Sequence, residues 1–256
     1  MGNISKKDAL GNRMKSQYEN RFRHFLPRRT YVLVRCDGKS FHSWTRGLEK
    51  PYSKEFMECI DAAALELCKN VSGARFAYVQ SDEISLLITD FDTIDTQAWF
   101  DNCQNKIESI TASIATMAFN LKVLEFNQKG TSILGKIKKP NAIFDSRAWV
   151  IPDPVEVENY FIWRQQDATR NSVNLLASAY ASPKQLHGKN MAKRHEIIHA
   201  AGDNWANHPA RFKHGSIIRY DSEKWMTDKN IPIFTQDRGY LGVSLNIKNI
   251  EQPLIY

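Results

Sequence analysis

The chain has 256 residues, 42% apolar and 25% charged, with no low-complexity tract and no internal repeat, which bounds it to one large globular unit or a core with an appendage. Its formal charge of +7 favours a polyanionic partner, nucleic acid first, and no window approaches 18 apolar residues, so neither membrane spanning nor export is expected. Cys36, Cys59, Cys68 and Cys103 show no C-x-x-C spacing and read as reduced thiols of a cytoplasmic protein, not as a zinc knuckle.

In chain order, residues 8–20 read as a short polar helix or arm. The β-branched run from Tyr31 to Arg35 reads as a first strand that ends in Cys36-Asp37-Gly38-Lys39-Ser40-Phe41-His42. By itself Asp-Gly after a strand is an ordinary turn. Ser53 then caps a helix with Phe56, Ile60, Ala63, Ala64 and Leu67 at helical spacing, running to about Asn70. Arg75–Val79 and Ile84–Thr89 form a hairpin around Gln80-Ser81-Asp82-Glu83.

Trp99, Cys103, Ile107, Ile110, Ile114, Met117 and Leu121 step by three and four, which predicts an amphipathic helix with that stripe inward. After a Lys/Gly-rich loop over 128–140, Ala142–Ile151 reads as a fourth strand interrupted by Phe144-Asp145-Ser146-Arg147. Strand, helix, strand, strand, helix, strand is the ferredoxin-like split βαβ, an α+β arrangement. Beyond Pro152 the chain turns mainly helical, over Val155–Ala181 and Lys189–Ala200, with short strands near Ser216–Tyr220 and Ile231–Phe234. This divides the chain into a split-βαβ domain with its N-terminal arm, 1–152, and a helical C-terminal region packed on it, 153–256.

Right-handed crossovers make strands one and two parallel, with strand three antiparallel between them. Asp37 is thereby placed beside Asp82 and Glu83. Carboxylates about 5 Å apart repel by about 3 kcal/mol per pair at an effective dielectric near 20. One of them is protonated, or Lys39 and Arg35 pair with them, or hard cations sit between them. Oxygen donors beside phosphate-binding groups are the signature of Mg²⁺, and two such ions serve in-line displacement at phosphorus. Lys39, Ser40 and the amides after Gly38 would cradle a phosphate chain, with Phe41 packing inward.

Arg35 to His42, Lys50-Pro51, Tyr78 to Glu83, Phe144 to Arg147, and Tyr160-Phe161-Ile162-Trp163-Arg164-Gln165-Gln166-Asp167 together resemble the tRNA-His guanylyltransferase family. The likeness continues through Asn204-Trp205, Pro209 and Phe212-Lys213-His214-Gly215. The resemblance implies that residues 1–152 form a polymerase-type palm, a palm-like catalytic domain that extends tRNA at its 5′ end in the 3′-to-5′ direction, with ATP or GTP activating a 5′-monophosphate. The 3′-hydroxyl of the incoming nucleotide then attacks the activated phosphorus. It implies Asp37, the Gly38 carbonyl and Asp82 as ligands of two Mg²⁺ ions, and Asp37, Asp82 and Glu83 as the catalytic acids. Asp37, Gly38, Lys39, Ser40, Phe41, His42, Lys50, Ser81 and Asp82 match nucleotide-binding positions. Arg35, Arg147, Arg164 and Asn171 are candidate RNA or nucleotide contacts, and a homotetramer is the implied assembly.

Where the eukaryotic enzymes carry His-Ile-Asn-Asn, this chain has Thr169-Arg170-Asn171-Ser172. That pattern resembles the bacterial and archaeal branch and implies template-dependent 5′-end repair, with addition of G at position −1 as the alternative. Three basic clusters are candidates for gripping RNA: Arg21/Arg23/Arg28/Arg29, Lys136/Lys138/Lys139 and Lys189/Lys193/Arg194.

Three rival readings compete. His195-Glu196-Ile197-Ile198-His199 is a literal H-E-x-x-H, the pattern of a zinc metallopeptidase, although Trp205 occupies the position of a third ligand. A cyclase-type palm would also present acids at this sheet edge, but lacks the Trp163–Asp167 run. An RNA-binding module without catalysis would not need Asp37, Asp82 and Glu83 together.

Overall fold

The computed structural model describes residues 8–128 and 138–245. Lys136 of the second basic cluster, residues 129–137 of the Lys/Gly-rich loop and the last part of the C-terminal region, 246–256, lie outside them. Helix α1 (Ala9–Gln17), capped by Asp8, leads into strand β1 (Tyr31–Gly38), the short α2 (Phe41–Trp44) and α3 (Lys54–Asn70). The Ser53 hydroxyl accepts the Phe56 N–H at 3.2 Å, the cap that the sequence predicted. Next come β2 (Ala74–Gln80), β3 (Glu83–Ile88), α4 (Gln104–Gln128) and β4 (Phe144–Ile151). The chain continues with α5 (Pro154–Tyr180), α6 (Pro183–Leu186), α7 (Met191–Ala200), α8 (Ala210–His214), β5 (Ser216–Asp221), β6 (Lys224–Asp228) and α9 (Arg238–Leu245).

The strands form one antiparallel sheet in the order β4-β1-β3-β2-β5-β6. Its first four strands have the split βαβ arrangement, with β1 and β2 parallel about β3. Alternation divides the sheet faces. Val32, Val34, Ala77, Val79, Ile84 and Leu86 pack with α3 and α4 in one core. Leu33, Phe76, Tyr78, Leu87 and Ile217 pack with Val157 and Phe161 of α5 in the other.

Several local expectations are corrected. Phe144–Arg147 does not interrupt the fourth strand: it is paired with β1 throughout, Gly38 opposite Phe144 and Arg35 opposite Arg147. Glu83 belongs to β3 and not to the turn, because it completes the ladder with Gln80 and Asp37. Ile231–Phe234 forms no strand; Ile231 and Phe234 plug the α5-side core from a turn. The second C-terminal strand is instead Lys224–Asp228, a five-residue edge strand whose two apolar residues, Trp225 and Met226, are adjacent and give no alternation.

The expected stripe coincides with the buried face of α4 at Ile107 and Ile114 and departs from it elsewhere. Ile110, Met117 and Leu121 are exposed, while Ile107, Thr111, Ala115, Ala118, Phe119, Val123 and Phe126 face inward. The residues facing α3 include small ones, which give a weak hydropathy signal but let the helices approach closely. Trp99–Asn102 forms a separate 3₁₀ turn ahead of α4.

One of the buried ion pairs that join the C-terminal half to the first half lies between α8 and α3. Arg211 of α8 donates from Nε and Nη2 to Asp61 of α3, the shortest bond being 2.8 Å, and the Ser216 hydroxyl donates to the same carboxylate. Removing one partner would strand the other charge away from water. Asp61→Ala is therefore expected to destabilise the protein by about 3–5 kcal/mol, measured by urea unfolding. An unchanged midpoint would show that this pair does not hold the halves together.

Candidate active site at the hairpin edge

The sheet register builds the site. At the edge where β1 ends, Gln80 lies opposite Glu83, Glu83 opposite Asp37, and Asp37 opposite Asp145. A two-residue turn, Ser81-Asp82, closes the hairpin, with Ser81 held at φ 49°. The Gly38 N–H donates to the Asp82 carbonyl at 3.1 Å, tying the turn to the end of β1. The Lys39 N–H donates to the Ile143 carbonyl at 2.8 Å. Asp37, Gly38, Ser81 and Asp82 are thus brought together, as the sequence argument expected.

The carboxylates differ in environment. Glu83 is buried at 9% exposure and is gripped by Arg164, whose Nε and Nη2 donate to its two oxygens at 2.8 and 2.9 Å. Burial pushes the Glu83 carboxyl up, and Arg164 and Arg35 pull it back. The two-pronged geometry is that of an ionised pair. Arg164 also bonds Asp167 at 2.9 Å and lies over the Trp163 ring. A guanidinium so buried and so occupied serves as a support for Glu83, not as a surface contact.

Asp82 is half-buried, and its carboxyl is pushed up chiefly by burial, with the nearby Asp37 charge adding to that and the turn's backbone hydrogen bond opposing it. Around Asp37 the nearest cation is Arg147, whose Nη2 is 3.7 Å away and which also faces Asp145. Arg35 lies over the Trp149 ring and acts on Glu83. Two hard carboxylates, the Gly38 carbonyl and incomplete charge compensation form an oxygen-donor set of the type that fits Mg²⁺. Among the described residues no group of three or more His, Cys, Asp or Glu side chains is placed to share an ion, because Glu83 is turned into its pair with Arg164.

Lys39, Ser40 and His42 are exposed around this edge. Phe41 is buried, 5.1 Å from the Phe144 ring and 5.3 Å from Phe119. It packs, as expected. Beside the acids opens a pocket of about 470 Å³. His42, Lys50, Ser81 and Asn171 line it, together with Ser53, which the sequence read only as a helix cap, and Gln80 and Arg211, to which it gave no role at the site. Gln80 stood inside a recognised motif, so a signal existed; Arg211 had none.

The basic clusters are unequally committed. Arg28 bonds Asp90 and the Thr96 carbonyl, and Lys138 donates to the carbonyls of Trp44 and Arg46. In the H-E-x-x-H stretch His195 packs edge-on against Trp205, His199 is exposed, and no third donor joins them among the described residues. The zinc peptidase reading fails on that geometry.

A family model described as tRNAHis guanylyltransferase matches residues 11–152. A tRNA(His) guanylyltransferase of Schizosaccharomyces pombe is 28% identical over 243 residues, covering 89% of this chain and 88% of the relative. Among solved structures, a bacterial tRNA(His) guanylyltransferase-like protein in complex with ATP is 40% identical, with a TM-score of 0.84 over 93% of this chain and 100% of that one. A complex with GTP is 37% identical, with a TM-score of 0.74 and the same coverage.

Gly38 sets a sharp test of the packing. A Cβ there would lie 2.3 Å from the buried Phe41 ring. Gly38→Ala is expected to cost about 1–3 kcal/mol by overpacking, read by urea unfolding. Arg164→Gln, which leaves Glu83 without its ionic partner, is expected to cost about 3–5 kcal/mol. A melt unchanged from the wild type in either variant would refute the corresponding contact.

Proposed function

Because the chain belongs to the tRNAHis guanylyltransferase family, whose members are nucleotidyltransferases, we propose that it extends the 5′ end of tRNA in the 3′-to-5′ direction at the Asp37–Asp82 edge of its sheet. The observation that carries this reading is the register that sets Asp37 and the Ser81-Asp82 turn beside a pocket lined by His42, Lys50, Ser81 and Asn171. ATP and GTP are its nucleotides, a reading supported by the bacterial relatives in complex with each.

Asp37, Asp82 and the Gly38 carbonyl would hold two Mg²⁺ ions, which supply charge neutralisation at phosphorus and a lowered pKa for the attacking hydroxyl. The protein's own groups do the remaining work. Lys39, Ser40 and Lys50 meet the phosphate chain with positive charge and hydroxyl donors. Glu83, ionised and fixed by Arg164, holds negative potential behind the turn and keeps Asp82 oriented. The 5′-phosphate first attacks the α-phosphorus of ATP or GTP and releases pyrophosphate, and the 3′-hydroxyl of the next nucleotide then attacks the activated 5′ phosphorus in line and releases the nucleoside monophosphate.

Thr169-Arg170-Asn171-Ser172 favours template-dependent 5′-end repair over untemplated addition of G at position −1. Arg170 bonds Asp167, and Ser172 accepts the Trp205 indole N–H, so this turn of α5 is occupied by internal contacts. A homotetramer fits the exposed apolar residues Leu10, Tyr18 and Phe22 of the arm and Met117 and Leu121 of α4. The four cysteines are free and buried, Cys36 pushed up to about 11, which suits the cytoplasm. No helix among the described residues is long and apolar enough to cross a membrane.

The decisive assay offers full-length tRNA-His and a tRNA lacking its first nucleotide, each with a labelled 5′ end, with ATP, GTP and Mg²⁺. Preference for the truncated tRNA is expected, and Asp82→Ala should lower the rate about 10³-fold, the worth of several kcal/mol of charge stabilisation. Product from neither tRNA, or an undiminished rate in the variant, would overturn the reading.

A further inference from the structure

The pocket beside the acids contains one group whose chemistry is unspent. Gln80 closes β2 directly before the Ser81-Asp82 turn and is 4% exposed. Its side-chain oxygen is buried and accepts no hydrogen bond from any described residue. Its polar neighbours are committed elsewhere: Arg211 to Asp61, Arg164 to Glu83 and Asp167, and Ser172 to Thr169 and Trp205. A buried carboxamide oxygen without a donor costs about 1–3 kcal/mol. Such a group in a native fold calls for an explanation.

Its place in the pocket supplies one. Leu48, Phe56 and Met57 line the pocket from one segment, and Leu175 and Phe212 from another. These apolar side chains suit a flat heteroaromatic ring, and about 470 Å³ is ordinary for a small-ligand pocket. The polar groups His42 and Ser81 mark the side next to Asp82. Gln80 lines the pocket together with these apolar side chains, whereas Asp82 lies outside its lining, across the Ser81-Asp82 turn. A nucleotide with its phosphates at the turn and its ring among the apolar side chains therefore brings its base to the carboxamide.

We propose that Gln80 is a specificity-determining residue, whose side-chain oxygen accepts an N–H from the purine base of the nucleoside triphosphate held in this pocket. This rests on the nucleotide-binding reading above and adds to it which protein group reads the base. A turn of the whole carboxamide about the inner side-chain torsions takes the oxygen out of its unpartnered position and toward the pocket without moving the strand. In the absence of nucleotide the unpartnered amide is a local cost, which the bound base removes. A site built around a hydrogen bond rejects an analogue that lacks the donor, because the buried acceptor is then left unpaired.

The test compares the binding of ATP, GTP and purine riboside 5′-triphosphate, whose unsubstituted ring carries no N–H, by calorimetry at fixed Mg²⁺. The wild type should bind ATP or GTP about tenfold or more tighter than the donor-free analogue. In Gln80→Met, which keeps the length and loses the amide, that ratio should fall to about one. Inorganic tripolyphosphate should compete equally well with both proteins. Gln80→Leu serves as the second variant. Without nucleotide both variants should melt at or above the wild-type temperature, since they remove an unpartnered polar group.

A base preference that survives in Gln80→Met or Gln80→Leu, or a wild type that binds the donor-free analogue as tightly as ATP and GTP, overturns this assignment alone. Absence of all triphosphate binding by the wild type overturns the nucleotide reading together with it.

Discussion

The contact on which the site depends is the buried pair between Arg164 and Glu83. Three anionic groups meet at one sheet edge, and the fold separates their duties by burying a guanidinium under one of them. Glu83 is thereby held ionised and directed toward α5. Asp37 and Asp82 are left partly exposed. The pair joins β3 to α5, so the orientation of the hairpin turn is referred to a 27-residue helix, not to a loop. Ser85 and Tyr160 extend the same polar seam, their hydroxyls 2.9 Å apart.

Burial also explains why this support is costly to alter. A charge pair away from water is weak evidence of net stability, but removal of one member exposes the full desolvation cost of the other. The same rule applies at Asp61 and Arg211, where a second buried pair fixes α8 and β5 against α3. Arg211 also lines the pocket, so the contact that joins α8 to α3 sets part of the pocket wall as well.

Much of this was legible in the sequence, for reasons that can be located. The split βαβ order and the handedness of crossovers were enough to set Asp37 beside the β2–β3 turn, because topology is fixed by element order. Ser53 announced its helix through capping chemistry. The phase of α4 was not legible, since Ala115, Ala118 and Thr111 carry little hydropathy yet form its buried face. Nor was the role of Arg164, because a motif arginine reads the same whether it faces RNA or a buried acid. Gln80 stood in a recognised motif, but only the geometry showed its oxygen without a partner. β6 was missed because its two apolar residues, Trp225 and Met226, are adjacent in a five-residue strand and show no period of two.

The pocket is walled by His42 to Met57 on one side and by Ala168 to Leu175 and Arg211 to Gly215 on the other. Its two sides come from stretches more than a hundred residues apart in the chain. A ligand that fills it therefore acts as a removable crosslink, binding only when both stretches are in place. By mass action, saturation would add to the free energy of unfolding and draw the two halves into a single cooperative transition. Substrate concentration would in that case govern how long the chain survives as well as how fast it works.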